Sequence, residues 1–174
     1  GLAVAAAARW VGASSVVVGG LPRDTERLGI AEALGATPVV LDDPGSIARR
    51  IAATTGGAPD LVVDTVGADP AVIGPAAESL RHGGHLVLTS PKRPEQVPVD
   101  TGLLIRRELR LAGVRGRSPE AIRTAIGSLA DGSSHLDAVP TVEVGLDGAG
   151  DMLARLADGR GPESPHVVVR PGAA

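Results

Sequence analysis

The 174-residue sequence contains no cysteine, tyrosine or phenylalanine, and Trp10 is its only aromatic residue apart from histidine. The lack of cysteine excludes disulfide bonds and thiolate zinc ligands within this chain. No apolar run approaches the roughly 20 residues of a membrane span, and no basic segment leads into an apolar one as in a signal peptide. We therefore expect a soluble, cytoplasmic protein with no membrane partner.

Excess positive charge is also lacking. The chain has 17 Lys and Arg against 20 Asp and Glu, a formal net charge of −3, and no block of like charge stands out. Such a surface has no basic field for nucleic acid, so no nucleic-acid partner is expected and a small-molecule substrate is favoured. The length and a hydrophobic content of 43% suit a single globular domain.

Short apolar strands alternate with helical segments along the chain. Helices are predicted over 1–13, 23–36, 46–57, 68–84, 118–132 and 152–156, and strands over 15–19, 37–43, 60–67, 84–90, 108–116 and 167–169. An edge strand is also predicted in the segment that starts at Thr141. The alternation is typical of an α/β fold with a doubly wound parallel sheet. A helix followed by a buried strand is the middle of such a pattern, so we expect that the first strand of the fold precedes Gly1.

In doubly wound sheets, ligands bind beyond the carboxyl ends of the strands. Gly1 and Leu2 open the first helix, whose positive end would face a pyrophosphate if Gly1 closes a G-x-G-x-x-G motif. Taken alone, this glycine is better explained as an ordinary chain end. The other candidates follow later strands: Thr65, Val66, Gly67, Thr89, Ser90, Gly113 and Val114, each also compatible with an ordinary tight turn.

The turn after the first predicted strand bears on the choice of cofactor. Dinucleotide folds place an acidic residue there for the ribose hydroxyls, or small and basic residues where a 2′-phosphate must fit. Gly20 and Leu21 carry no carboxylate, and Arg23 can pair with a phosphate. These residues predict cofactor binding with NADP slightly favoured over NAD. The alternative is a glycine turn that leads into a helix, and Asp24 could hold Arg23 away from a ligand or reach the ribose itself.

Other polar residues do not form a site in the sequence. His82 and His85 have an H-x-x-H spacing but flank two glycines in a loop, without an acidic or thiol partner, so a solvated turn is expected. Asp42 and Asp43 precede a helix and are explained by capping. No metal site and no catalytic residue is predicted within the chain.

Seven segments, in order, resemble the cofactor-binding half of the medium-chain dehydrogenase/reductases, which include zinc-type alcohol, polyol and threonine dehydrogenases. They are "GLAVAAAARWVGAS", "RDTERLGIAEALGAT", "GGAPDLVVDTVG", "AAESLRHGG", "HLVLTS", "ELRLAGVRGRSPEAIRTAIGSLADG" and "HVVVRPG". The resemblance implies a Rossmann fold in strand order 3-2-(1)-4-5-6 that lacks its first strand. It also implies residues 1–140 as an NAD(P)-binding domain and 141–174 as a segment that returns toward a substrate domain missing from this chain.

The resemblance further implies hydride transfer between nicotinamide and an alcohol or carbonyl substrate. Zinc would enter only through the missing N-terminal part, and the full-length protein would be a homodimer or tetramer that pairs through the predicted edge strand "ELRLAGV". Two alternatives remain open. One is a zinc-free quinone or enoyl reductase of the same family, and the other is a non-catalytic dinucleotide-binding regulatory domain, because a fold alone does not make an enzyme.

Overall fold

The structure is a computed structural model that describes residues 1–67, 69–93, 96–115, 118–162 and 164–172. These residues form seven helices: α1 Leu2–Trp10, α2 Thr25–Ala33, α3 Ile47–Thr55, α4 Ile73–Ser79, α5 Thr101–Arg106, α6 Pro119–Ala130 and α7 Leu146–Ala157. They also form seven strands: β1 Val17–Gly20, β2 Thr37–Val40, β3 Leu61–Asp64, β4 His85–Leu88, β5 Arg110–Gly113, β6 Thr141–Val144 and β7 His166–Val169. None of the described helices is long and apolar enough to cross a bilayer.

All strand pairs in the described residues are parallel, which confirms the predicted α/β class. β1 pairs with β2, β3 pairs with β4 and β4 with β5, and β6 pairs with β7. In the described part of the chain, β1 and β3 therefore each have a strand on one side only. This arrangement agrees with the predicted order, in which the position between these two strands is empty.

The helix boundaries follow from local chemistry. α6 begins at Pro119 behind Ser118, whose hydroxyl accepts the N–H of Ala121 at 3.0 Å, as the sequence predicts. α4 begins at Ile73, later than predicted from Asp69. Pro75 explains the delay, because a proline inside a helix clashes with the carbonyl four residues earlier and is tolerated only in the first turn.

The buried core lies around α1, α2 and α4. Ala5 of α1 packs with Ala31 of α2 and with Ala36, and these small side chains allow α1 to approach α2 closely. A second cluster joins α4 to β4 around Leu80 and Leu86. Burial of these side chains removes apolar surface from water and stabilises this part of the fold.

The apolar face of α6 departs from the prediction. The sequence spacing predicts that Ile122, Ala125, Ile126 and Leu129 are buried, but all four are exposed and Ile126 is 61% exposed. The periodicity gives the helix correctly, because it reports which side is apolar. It does not report whether the described chain supplies an element to cover that side.

The C-terminal strands form a small parallel sheet of their own. β6 and β7 pair only with each other in the described residues, and α7 packs against β6. Just before this segment, Leu136 and Val139 pack against the cluster of Ala6, Ile30 and Leu34. The division into 1–140 and 141–174 stays a prediction.

Candidate functional site

A cavity of about 1230 Å³ opens at the carboxyl ends of β1 and β3. Five of the twelve residues predicted from the sequence line it: Gly1, Leu2, Gly20, Thr65 and Val66. The end of α6 and the start of β6 form its other wall. The location agrees with the rule that doubly wound sheets bind ligands beyond the ends of their strands.

The other seven predicted residues lie on the same rim but are not part of the cavity wall. They are Leu21, Arg23, Gly67, Thr89, Ser90, Gly113 and Val114. Some of their backbone groups already join neighbouring strands, since the N–H of Val114 donates to the carbonyl of Leu88 at 3.0 Å. Their role in binding stays a prediction.

The N-terminus of α1 faces the cavity. Gly1, Leu2 and Ala3 all line the cavity, and no side chain caps the helix. A Cβ atom at Gly1 would lie 3.4 Å from the Thr65 hydroxyl oxygen, so the backbone approaches the end of β3 closely. Uncapped N–H groups and the positive end of the helix dipole suit an anionic group.

The turn after β1 places an acidic and a basic side chain in the cavity wall. One oxygen of Asp24 accepts the N–H of Leu21 at 3.0 Å, and the other lies 3.3 Å from a guanidinium nitrogen of Arg27. Asp24 and Arg27 line the cavity, whereas Arg23 is exposed on a short 3₁₀ turn, Pro22–Asp24. The sequence prediction missed Arg27, although its position three residues after Asp24 on a helix was the available signal.

Electrostatics at this wall are set by a few groups. The guanidinium of Arg27 is 62% exposed and lines the cavity beside the N-terminus of α1. On the opposite wall, hydrogen bonds from Ser133 lower the pKa of the Asp131 carboxyl. The cavity wall therefore has the Asp24–Arg27 ion pair at β1 and an anionic group near the end of α6.

Gly20 is closely packed against the start of α2. A Cβ atom there would lie 3.0 Å from a methyl carbon of Leu28 and 3.3 Å from the Cβ of Asp24. A larger side chain at this position would have to displace Leu28. Close packing against α2 therefore leaves no room for an acidic side chain at position 20. The carboxylate in this part of the cavity wall belongs to Asp24.

The turn after β3 is held by a buried ion pair that the sequence prediction did not include. Asp64 and Lys92 have side chains only 3% and 4% exposed, and their Oδ2 and Nζ atoms lie 2.6 Å apart. Asp64 also accepts the N–H of Val66 at 3.0 Å through Oδ1, while Lys92 donates to the Val66 carbonyl at 2.5 Å. Lys92 is the only lysine among the 174 residues, and this rarity was the feature of the sequence that could have drawn attention to it.

The remaining polar candidates from the sequence lie apart. His82 approaches Glu108 at 3.5 Å, and His85 approaches Arg110 at the same distance. Asp42 pairs with Arg50. Among the described residues, no group of three or more His, Cys, Asp or Glu side chains could hold a metal ion.

The family model described as zinc-binding dehydrogenase matches residues 1–131. The chain belongs to this family. It is 35% identical over 98% of its length to a probable alcohol dehydrogenase of Mycobacterium tuberculosis, of which it covers 48%. It is 29% identical over 91% of its length to a D-arabitol-phosphate dehydrogenase of Enterococcus avium, of which it covers 45%. The chain thus spans about half the length of these relatives.

Solved structures agree with the fold. The 2R,3R-butanediol dehydrogenase of Bacillus subtilis superposes with a TM-score of 0.80 and 24% identity, over 97% of this chain and 47% of that one. Two other matching structures contain a nicotinamide cofactor. An E. coli alcohol dehydrogenase holds NADH (TM-score 0.76, 18% identity, 88% of this chain and 44% of that one). The crotonyl-CoA carboxylase/reductase AntE holds NADP (TM-score 0.78, 20% identity, 98% of this chain and 46% of that one).

Proposed function

We propose that this chain supplies the nicotinamide-cofactor site of an alcohol or polyol dehydrogenase. The observation that carries the proposal is the cavity where the uncapped N-terminus of α1 meets the ends of β1 and β3. Membership of the zinc-binding dehydrogenase family and relatives named as alcohol and polyol-phosphate dehydrogenases support it. A bound nicotinamide supplies the carbon that gives or accepts a hydride.

The residues of this chain fit a dinucleotide. Gly1 keeps the start of α1 open, so its backbone N–H groups and helix dipole can bind a pyrophosphate. Asp24 and Arg27 line the cavity together with Gly20, and we assign the adenosine ribose to this part of the wall. Val66 presents an exposed apolar side chain to the cavity, which suits one face of a flat ring.

We further propose a preference for NADP over NAD, carried by Arg27 together with the predicted Arg23. A guanidinium can form a charge-assisted, bidentate pair with a 2′-phosphate. Arg27 lies in the cavity wall, and Gly20 offers no carboxylate to repel the phosphate. Asp24 limits the preference, because its carboxylate already holds Arg27 at 3.3 Å and can accept a ribose hydroxyl.

The chain does not itself fit a zinc ion. It has no cysteine, and its described residues contain no cluster of three potential ligands. A zinc site in the full-length gene product would need ligands from outside the described residues. Under this proposal, the residues of this chain hold and orient the cofactor.

Self-association through β5 belongs to the same proposal. In the described residues β5 pairs only with β4, and all four of its residues are exposed. A strand edge with unpaired backbone groups is stabilised by pairing with a second copy. Sedimentation of the full-length gene product at micromolar concentration would show a dimer or tetramer, and a monomer would contradict this part.

Cofactor titration tests the main proposal. We expect the full-length gene product to enhance NADPH fluorescence and to bind NADPH more tightly than NADH. It should then reduce NADP with an alcohol or polyol from a panel that varies chain length and phosphate. Trp10 is a poor reporter, because it hydrogen-bonds Ser133 and does not line the cavity. Failure to bind either reduced cofactor would contradict the proposed function.

A further inference from the structure

We propose that Lys92 is a positioning residue for the nicotinamide half of the cofactor, an inference that rests on the proposed function. Through Asp64 and the Val66 carbonyl, Lys92 forms what we call the β3–β4 clasp, defined by Asp64, Val66 and Lys92. The clasp joins the loop after β4 to the turn after β3. No residue of the clasp except Val66 was expected to contribute to the site.

The first step is that the clasp fixes the backbone of the turn after β3 at Val66. The N–H of Val66 donates to Asp64 and its carbonyl accepts from Lys92, so both polar groups of this residue are held by side chains. The partners of these two backbone groups, Asp64 and Lys92, are charged and almost fully buried. Hydrogen bonds to charged groups in such surroundings are short and strong, so the turn has little freedom to change direction.

The second step is that the turn so fixed points an apolar side chain into the cavity. Val66 lines the cavity and is 45% exposed, whereas the clasp that holds it is buried. Thr89, at the end of β4, adds two hydrogen bonds to the Asp64 carbonyl at 3.0 and 3.1 Å. The clasp thus sets the relative position of two adjacent rim turns.

The third step assigns the clasp to one half of the cofactor. A doubly wound dinucleotide fold consists of two mononucleotide-binding halves. Asp24 and Arg27 belong to the half with β1 and β2, and the clasp belongs to the half with β3, β4 and β5. Under the proposed function, the first half takes the adenosine and the clasp therefore acts on the nicotinamide mononucleotide.

The experiment separates positioning from charge balance. In the full-length gene product, Lys92→Met removes the ammonium but keeps the length of the stem, and leaves Asp64 buried without a counter-charge. The double variant Lys92→Met/Asp64→Asn removes both charges and keeps an acceptor for the Val66 N–H, but the Val66 carbonyl still lacks its donor. Arg93→Met is the matched control, since it removes a neighbouring exposed cation from the same loop.

We expect the single variant to unfold at a lower temperature and the double variant to recover most of the loss. Both should bind the preferred reduced cofactor about tenfold to a hundredfold more weakly, because in both the Val66 carbonyl loses its charged donor and the turn is no longer held. Binding of ADP, which contains only the adenosine half, should not change. Arg93→Met should match the wild type in all three measurements.

Three results would overturn the inference: a double variant that binds the reduced cofactor as the wild type does, an equal weakening for ADP and the reduced cofactor, or an equal weakening by Arg93→Met. A wild type that binds neither ADP nor a reduced cofactor would instead remove the proposed function, and this inference with it. If neither variant folds, hydrogen exchange of residues 61–67 in the wild type decides. Saturating reduced cofactor should slow it more than saturating ADP, and equal slowing would overturn the inference.

Discussion

In the turns after β1 and β3, an aspartate paired with a cation fixes the backbone, but the pair is exposed to solvent after β1 and buried after β3. In each, an aspartate accepts a backbone N–H within three residues, of Leu21 or of Val66, and also contacts a cation. Arg27, the cation at β1, is 62% exposed. Lys92, the cation at β3, is 4% exposed. The same pairing is therefore available to a ligand in one turn and enclosed by protein in the other.

Burial determines what each pair can do. An exposed ion pair contributes little to stability, because water and salt screen it and both side chains lose conformational freedom. Its arginine can turn toward a ligand at small cost. In a buried pair, each charge depends on the other, and loss of one leaves the second uncompensated. We therefore expect Arg27 to affect specificity and Lys92 to affect stability and geometry.

The largest effect should come from Lys92→Met on stability. Removing one partner of a buried pair typically costs about 3–5 kcal/mol, whereas Arg27→Met should cost less than about 1 kcal/mol. Denaturant unfolding of both variants in the full-length gene product measures the two values directly. Similar losses for the two variants would show that burial does not distinguish the two pairs.

Cofactor preference is the next expected effect. Arg27→Ala should weaken NADPH binding by about 1.5–3 kcal/mol, or roughly tenfold to a hundredfold, and leave NADH binding nearly unchanged. Arg23→Ala removes an equal charge from the 3₁₀ turn just before α2 and is the matched variant. It should have the smaller effect, because Arg23 is not part of the cavity wall. Isothermal titration with NADPH and NADH gives the ratio of the two dissociation constants for each variant. If Arg23→Ala has the larger effect, the 2′-phosphate contact belongs to Arg23.

Sequence patterns were sufficient for the architecture. Alternating apolar strands and capped helices predicted the parallel α/β fold, and the start of α6 at Ser118 and Pro119 was correct. The fate of the apolar side chains of α6 was not predictable, because periodicity identifies a face without identifying its partner. Ile126 is exposed in the described chain although its spacing is that of a core residue.

The candidate site was predictable where it depends on strand ends and not where it depends on side-chain pairing. Gly1, Gly20 and Val66 follow from the rule for doubly wound sheets, and all three line the cavity. The ion pair of Asp64 and Lys92 joins residues 28 positions apart, and no local periodicity encodes such a contact. A single lysine and an aspartate that ends an apolar strand were the only signals in the sequence.

A moderate effect should distinguish the glycines of the two turns. Gly20→Ala should destabilise by about 1–3 kcal/mol, because its Cβ would lie 3.0 Å from Leu28 in a closely packed region. Gly67→Ala in the turn after β3 meets no atom within 4 Å, so it should change stability by less than about 0.5 kcal/mol. Thermal unfolding of the two variants tests this pair. A loss at Gly67 equal to that at Gly20 would mean that the β3 turn tolerates no added carbon despite its open surroundings.

The smallest effect should be the response of the two pairs to salt. Asp24→Asn keeps an acceptor for the Leu21 N–H but removes the charge facing Arg27, so we expect a loss below about 1 kcal/mol at low ionic strength. Raising the salt from about 0.1 M to about 1 M shortens the screening length from roughly 10 Å to 3 Å, which should remove this loss. The loss caused by Lys92→Met should persist, because water and ions do not reach a pair that is 3–4% exposed. Urea denaturation at both salt concentrations, with the wild type measured in parallel, gives the loss of unfolding free energy for each of the two variants. A Lys92→Met loss that disappears in high salt would mean that solvent reaches the clasp, and the contrast between the two turns would then fail.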